Sequence, residues 1–127
     1  MPSMTRRTAL AAFAACALAT AVAFPAGAQP KAGEPLKIGF VYVSPIGDAG
    51  WTFQHDTGRK EMEKALGAKV TSKYIESVPE GADAERVIRE LAQSGHQLIF
   101  TTSFGYMNPT IKVAGTYPKT QFEHATG

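Results

Sequence analysis

Hydrophobic positions along this chain follow two patterns, short continuous runs and stripes that repeat every three or four residues. Four runs are rich in β-branched or aromatic residues and have the length of buried strands; they span residues 36–43, 70–75, 97–102 and 121–124. Three stretches between them have helical spacing, at 51–66, 83–94 and 109–116. This alternation predicts an α/β fold with right-handed crossovers and a parallel sheet.

Local signals mark the ends of the predicted helices. Asp83 is placed to cap the second helix, and Asn108 with Pro109 predicts an N-cap followed by proline at the first position of the third. Glu85 stands four residues before Arg89, which is the spacing of an ion pair along a helix. The first helix carries its apolar residues among charged ones: Phe53, Met62, Ala65 and Leu66.

The segments that follow the strands are the first candidates for a functional site. Because parallel strands point the same way, these segments all emerge at one edge of the sheet, the carboxyl edge, where open α/β folds bind ligands. They begin after Val43, Ile75, Thr102 and His124.

The first 28 residues have the composition of a leader. Arg6 and Arg7 precede an apolar run that ends in Ala26-Gly27-Ala28, as in a secretory signal peptide cleaved near Ala28. An N-terminal membrane anchor is the alternative, but the run is shorter than the ~20 residues of a spanning helix. The pattern therefore predicts export to the periplasm. Sec export is the default, because the paired arginines resemble a twin-arginine signal only loosely.

The chain has one cysteine, Cys16, and small residues precede it as in a lipoprotein acylation box. Cys16 lies inside the apolar run, however, so cleavage near Ala28 is favoured over acylation. The mature chain then has no cysteine for a disulfide or a thiolate nucleophile.

Removing the leader also changes the charge of the chain. Arg6 and Arg7 are two of the 13 basic residues, so the mature part has equal numbers of basic and acidic residues. Charges of both signs are mixed along the helices, which argues against a nucleic-acid partner. We divide the chain into a signal peptide (1–28), a Pro/Gly tether (29–36) and an incomplete domain (37–127) that is small for an α/β fold.

The junction of the first strand and first helix contains the most informative residues. Gly47 and Gly50 flank Asp48, and Trp51 follows at once. The glycines allow either a tight turn or backbone amides that hold a polar ligand group. The Asp48 carboxylate can cap the helix or accept hydrogen bonds from ligand N–H groups. The Trp51 ring can belong to the core or stack on a ligand ring.

The loop after the third strand is predicted to face the same edge. It combines Ser103 with the aromatic residues Phe104 and Tyr106, a mixture of polar and apolar groups found in small-molecule sites. Together with Ser44 in the first loop, the predicted ligand-binding residues are Ser44, Asp48, Gly50, Trp51, Ser103, Phe104 and Tyr106.

Catalytic signals in the sequence are weak. His55 and Asp56 suggest a metal or phosphohydrolase site, but His96 and His124 do not stand in a ligand spacing with them. The alternative for His55 and Asp56 is a pair on the helix surface. No serine lies in a Gly-x-Ser-x-Gly elbow, so we expect neither catalytic residues nor a metal or cofactor.

Three blocks in this order resemble the basic membrane protein family of ABC-transporter substrate-binding proteins. They are Gly47-Asp-Ala-Gly-Trp51, the segment 76–89 and the segment 101–109. The resemblance covers essentially the whole mature chain and implies the type I periplasmic binding fold of the purine- and nucleoside-binding branch. It also implies that this chain supplies only the first part of an N-terminal lobe, and that the residues present bind ligand weakly or not at all.

The resemblance implies roles for two residues. In the family's Asp-x-x-Phe-Asn motif the aromatic ring stacks on the purine, and Asp48 and Trp51 occupy the Asp and Phe positions here. Thr52 stands where the family has Asn, which points to a free base such as adenine or another heterocycle as well as a nucleoside.

The resulting hypothesis is an exported receptor, without enzymatic activity and monomeric when complete, that delivers a purine-like molecule to an inner-membrane ABC permease. One alternative is a periplasmic hydrolase that uses Asp48, His55 and Asp56. Another is a sensory ligand-binding domain.

Overall fold

The computed structural model describes residues 31–126, in which a four-stranded sheet is flanked by three α-helices. The predicted signal peptide and Cys16 lie outside the described residues. The elements in chain order are β1 Leu36–Val41, α1 Trp51–Leu66, a 3-10 turn Gly67–Lys69, β2 Val70–Ile75, α2 Ala82–Gln93, β3 Leu98–Thr101, a 3-10 turn Phe104–Tyr106, α3 Met107–Ala114 and β4 Gln121–His124. None of the helices within 31–126 has the length and hydropathy needed to cross a membrane.

The sheet is entirely parallel, and its strand order is β2-β1-β3-β4. The predicted α/β fold with a parallel sheet is therefore confirmed. From β1 the chain crosses to β2 on one side and then returns to β3 on the other. This reversal opens a crevice outside the carboxyl ends of β1 and β3, the position where open α/β sheets bind ligands.

Successive residues of β1 point to opposite faces of the sheet and contribute to two apolar clusters. Val41 joins the larger cluster, which lies under α2 and α3 and consists of Val41, Val78, Ala84, Val87, Ile88, Leu91, Ala92, Ile99, Tyr106 and Val113. The smaller cluster lies on the α1 side and consists of Ile38, Phe40, Tyr42 and Val70. Each large apolar side chain buried in these clusters contributes roughly 1.5–3 kcal/mol.

Helix α1 buries polar side chains against the sheet. Its buried residues are Thr52, Asp56 and Arg59, whereas Leu66 is 42% exposed. Asp56 Oδ1 accepts a hydrogen bond of 2.8 Å from Arg59 Nε, and Lys60 Nζ lies 2.8 Å from Asp56 Oδ2. The prediction that His55 and Asp56 form a surface pair is wrong for Asp56, because ion pairs allow this carboxylate to be buried.

Arg59 links α1 to β2. Its Nη1 donates to Glu63 Oε2 at 3.2 Å and to Ser72 Oγ at 3.0 Å, and its guanidinium lies 4.8 Å from the centre of the Tyr74 ring. Burial alone would raise the pKa of Asp56, but the hydrogen bonds and charges of Lys60 and Arg59 outweigh it and hold this pKa below its usual value. The position of α1 on the sheet thus depends on a buried ionic network.

Several predicted element boundaries differ from those in the structure. Strand β1 ends at Val41, not at residue 43, because its partner in β2, Ile75, is the last residue of that strand. Helix α2 begins at Ala82 after Gly81 with φ of 89°, so Asp83 lies in the first turn and is not the cap. The predicted ion pair of Glu85 with Arg89 is confirmed at 2.8 Å.

The start of α3 also differs from the prediction. The helix begins at Met107, directly after the 3-10 turn, so Asn108 is not its N-cap and Pro109 is its third residue. Proline is tolerated in a first turn because the N–H that it lacks would have no partner within the helix. The loop predicted after β3 is therefore shorter and more regular than expected.

Candidate functional site

Trp51 lies at the carboxyl edge of the sheet and is 48% exposed. As the first residue of α1 it donates a hydrogen bond of 2.6 Å from Nε1 to the carbonyl oxygen of Thr102, which directly follows β3. The indole is thus held across the crevice between β1 and β3, and it does not belong to the core.

An open cavity of about 540 Å³ adjoins the indole. It is lined by Gly50, Trp51, Gln54 and His55. The His55 ring packs against Trp51 in a T-shaped arrangement with 4.5 Å between ring centres. Burial lowers the pKa of His55, so its imidazole is neutral at pH 7 and able both to donate and to accept a hydrogen bond.

The β1–α1 loop is ordered by its own polar groups. The hydroxyls of Ser44 and Thr52 are 2.7 Å apart, and Thr52 is buried. Asp48 is exposed, and no side chain caps α1, whose N-cap is Gly50 with φ of 94°. Of the two roles predicted for Asp48, helix capping is therefore absent, whereas hydrogen bonding to a ligand stays a prediction.

The remaining predicted residues lie on the β3–α3 loop and differ in their exposure. Phe104 is 69% exposed, and the Ser103 hydroxyl donates to Glu80 Oε1 at 2.5 Å. Tyr106 is fully buried, and its hydroxyl donates to the carbonyl oxygen of Val78 at 2.5 Å. The prediction that Tyr106 forms part of a ligand wall is wrong, because its ring packs in the larger apolar cluster.

Two carboxylates from the β2–α2 loop complete this edge and were not among the predicted residues. Glu76 Oε2 accepts a hydrogen bond of 2.8 Å from the Ile46 backbone N–H. Glu80 Oε1 accepts one of 3.0 Å from the Gly105 N–H in addition to the Ser103 hydroxyl. Their position in the loop after β2 could have indicated them from the sequence, because the segments that follow parallel strands share one edge of the sheet.

The charges at this edge have one sign. The three loops at 42–50, 76–81 and 102–106 contain the carboxylates of Asp48, Glu76 and Glu80 and no lysine or arginine. Such groups accept hydrogen bonds from N–H and O–H donors and repel anions.

The side chains proposed for a hydrolase do not converge. Asp56 is buried against Arg59 and Lys60, whereas Asp48 is exposed in the loop before α1. Between residues 31 and 126 there is no group of three or more His, Cys, Asp or Glu side chains arranged to hold a metal ion.

The family model described as ABC transporter substrate-binding protein, PnrA-like, matches residues 36–127. The chain belongs to this family. Membership favours a solute-binding component of a transporter over the hydrolase alternative.

Two curated relatives of this chain are much longer proteins. A purine-binding protein of Brucella abortus is 56% identical over 110 residues, which are 87% of this chain and 31% of the relative. A protein named as an ABC transporter glucose-binding protein of Haloferax volcanii is 43% identical over 101 residues, 80% of this chain and 25% of the relative. The chain thus spans a third or less of the length of these relatives.

A solved structure of similar fold is a solute-binding protein of an ABC transporter system from Conexibacter woesei. Its TM-score is 0.60 at 22% identity, and the match covers 68% of this chain and 28% of that one. This likeness supports the fold described above.

Proposed function

We propose that this chain is part of an exported solute-binding protein that captures a purine-like molecule, a free base or a nucleoside, and delivers it to an inner-membrane ABC permease. The observation that carries the proposal is the half-exposed Trp51 indole, fixed at the carboxyl edge by its hydrogen bond to Thr102. A fixed aromatic ring offers a stacking surface to a flat heterocycle. Capture and release involve no covalent step.

The polar groups around Trp51 support a ligand that donates hydrogen bonds. Asp48 and Glu76 are acceptors that suit amino, ring N–H and hydroxyl groups. The same charges disfavour a phosphate, so a base or nucleoside fits this edge better than a nucleotide. The Brucella abortus relative, 56% identical, is named a purine-binding protein.

We further propose that ligand binding requires a second lobe. The longer relatives extend well beyond the part that this chain matches, and an edge with one exposed indole contacts a ligand from one side only. Residues 31–126 alone should therefore bind weakly. The complete protein would act as a monomer in the periplasm.

The test uses an extended protein, in which this chain is joined to the part of the Brucella abortus relative that it does not cover. Adenine, hypoxanthine and adenosine are titrated calorimetrically, with adenosine monophosphate and glucose as comparators. Purines should bind and raise the melting temperature, because a ligand that binds only the folded state stabilises it. Trp51→Ala should weaken binding roughly tenfold or more, the scale of losing one base–aromatic stack.

The control is Ile111→Ala, which removes a side chain that is 64% exposed on α3. This variant should bind as the unmodified protein does. Binding of glucose but of no purine, or full purine affinity in Trp51→Ala, would refute the proposal.

A further inference from the structure

We propose that Glu80 is a positioning residue of the ligand site, which holds the β3–α3 loop and its exposed Phe104 in place at the carboxyl edge. The inference rests on the proposed function. Glu80 Oε1 accepts two hydrogen bonds, from the Ser103 hydroxyl at 2.5 Å and from the Gly105 N–H at 3.0 Å. The residues on either side of Phe104 are thus bound to one carboxylate oxygen.

Glu80 acts where the loop has no cap of its own. No side chain of the 3-10 turn Phe104–Tyr106 or of α3 caps either element. The first N–H groups of a helical turn have no partner within it, and a carboxylate is a strong acceptor for them. Glu80 supplies that acceptor from a different loop, and its hydrogen bonds from Ser103 and Gly105 lower its pKa, so it is ionised at neutral pH.

Gly105 allows this contact because it has no side chain. A Cβ at this position would collide with the Glu80 carboxylate. The absence of a side chain lets the carboxylate reach the Gly105 N–H, so this glycine permits a close approach where most glycines between residues 31 and 126 border open space.

The β2–α2 loop contacts the other ligand loop as well. Glu76 Oε2 accepts from the Ile46 N–H in the β1–α1 loop at 2.8 Å, and Tyr106 adds its buried hydrogen bond to Val78. Tyr106 fixes the base of the β3–α3 loop from within the core. Glu80 fixes its exposed part, where Phe104 is 69% exposed.

A preordered loop binds more tightly because less conformational freedom is lost on binding. Glu80→Ala should therefore lower purine affinity roughly tenfold, as expected when charge-assisted hydrogen bonds that fix a binding loop are removed. Glu80→Gln should bind nearly as tightly as the unmodified protein, since its amide oxygen accepts the same two hydrogen bonds. Gly105→Ala should lower affinity in the same direction as Glu80→Ala, because its methyl group displaces the carboxylate from the Gly105 N–H.

The experiment combines three measurements on the extended protein: amide hydrogen exchange at residues 103–106 without ligand, adenine affinity, and melting temperature. In Glu80→Ala we expect faster exchange, weaker affinity and a slightly lower melting temperature, because two hydrogen bonds are lost. Glu80→Gln should restore all three. The control is Glu90→Ala, which removes an exposed carboxylate of α2 that pairs with Arg86; it should change none of the three.

The outcomes separate this inference from the proposed function. If the unmodified protein binds purines and Glu80→Ala binds them equally well, the positioning role is refuted while the function stands. Unchanged exchange at Gly105 in Glu80→Ala would refute it too. If the unmodified protein binds no purine, the proposed function fails and the positioning role fails with it.

Discussion

The indole N–H of Trp51 and the carbonyl oxygen of Thr102 are joined by a hydrogen bond of 2.6 Å that spans the crevice between β1 and β3. Trp51 starts the helix after β1, and Thr102 directly follows β3. The bond therefore ties together the two segments that flank the point where the strand order reverses. It also occupies the only polar atom of the indole, so the ring offers a ligand its face but no hydrogen bond.

Trp51→Phe should separate stacking from this tether. Phenylalanine keeps an aromatic face but cannot donate to Thr102, so its purine affinity should lie between that of the unmodified protein and that of Trp51→Ala. The free energy of unfolding should fall by about 0.5–1.5 kcal/mol, the usual net value of one hydrogen bond. Calorimetric titration and urea unfolding of the same preparation measure the two effects. Equal affinity in Trp51→Phe and the unmodified protein would show that the tether does not contribute to binding.

His55 should make the fluorescence of Trp51 depend on pH. Trp51 is the single tryptophan of the chain, and the His55 ring lies 4.5 Å from it. Burial lowers the pKa of His55 from its ordinary value of 6.5, so the imidazole gains its charge only below that pH. We expect an emission change with a midpoint below 6.5 that His55→Gln abolishes.

The same lowered pKa affects stability. The unfolded chain binds this proton more readily than the folded one, so the free energy of unfolding should decline as pH drops below 6.5. His96, whose pKa is also lowered by burial, titrates in this range too. The contribution of His55 is therefore the difference in the pH dependence of the free energy of unfolding between the unmodified protein and His55→Gln. If the emission of Trp51 still changes with pH in His55→Gln as it does in the unmodified protein, the assignment to His55 is wrong.

The order of elements was predictable because hydrophobic spacing is a local signal. The continuous run at 70–75 predicts a strand, and the helical spacing of Val87, Ile88 and Leu91 predicts a helix. Strand order is different: which strands pair depends on contacts between segments distant in the chain, such as Ile38 opposite Leu98. The carboxyl edge could still be predicted, since in any parallel sheet all strands end on the same side.

The predictions that failed involve long-range polar contacts. The apolar side chains of Phe53 and Met62 on α1 are only partly buried, whereas Asp56 and Arg59 are buried because they form an ion pair. Thr52, Asp56 and Arg59 are spaced four and three residues apart, which places them on one face of the helix. Because all three are polar, a search for hydrophobic spacing does not find this face. Tyr106 is predicted on the ligand side from its place in the loop after β3. The contact that buries it is with the Val78 carbonyl oxygen, 28 residues away, and such a long-range contact leaves no local signal.

Asp56→Asn should strongly destabilise the fold. Asp56 is 1% exposed and neutralises Arg59, which is 8% exposed. Removing one member of a buried ion pair typically costs about 3–5 kcal/mol. Because Glu63 still pairs with Arg59, we expect the lower end of that range, about 3 kcal/mol. Urea unfolding at pH 7 measures the change. The matched control is Glu90→Gln, the same kind of substitution in the exposed pair with Arg86, which should cost at most about 1 kcal/mol. Similar losses in both variants would contradict the structural role of the buried pair.

Acid should destabilise the protein through the same carboxylate. The pKa of Asp56 in the folded state lies below its ordinary value of 3.8, because hydrogen bonds and charges from Lys60 and Arg59 outweigh the effect of burial. The unfolded state therefore binds this proton first, and the stability that Asp56 contributes is fully present above pH 3.8 and is lost as pH falls through the folded-state pKa. Glu80 and Glu85 also have lowered pKa values, so part of the acid response belongs to them. Unfolding free energies measured from pH 6 downward should thus fall less steeply in Asp56→Asn than in the unmodified protein, and parallel curves would show that Asp56 does not titrate differently in the folded and unfolded states.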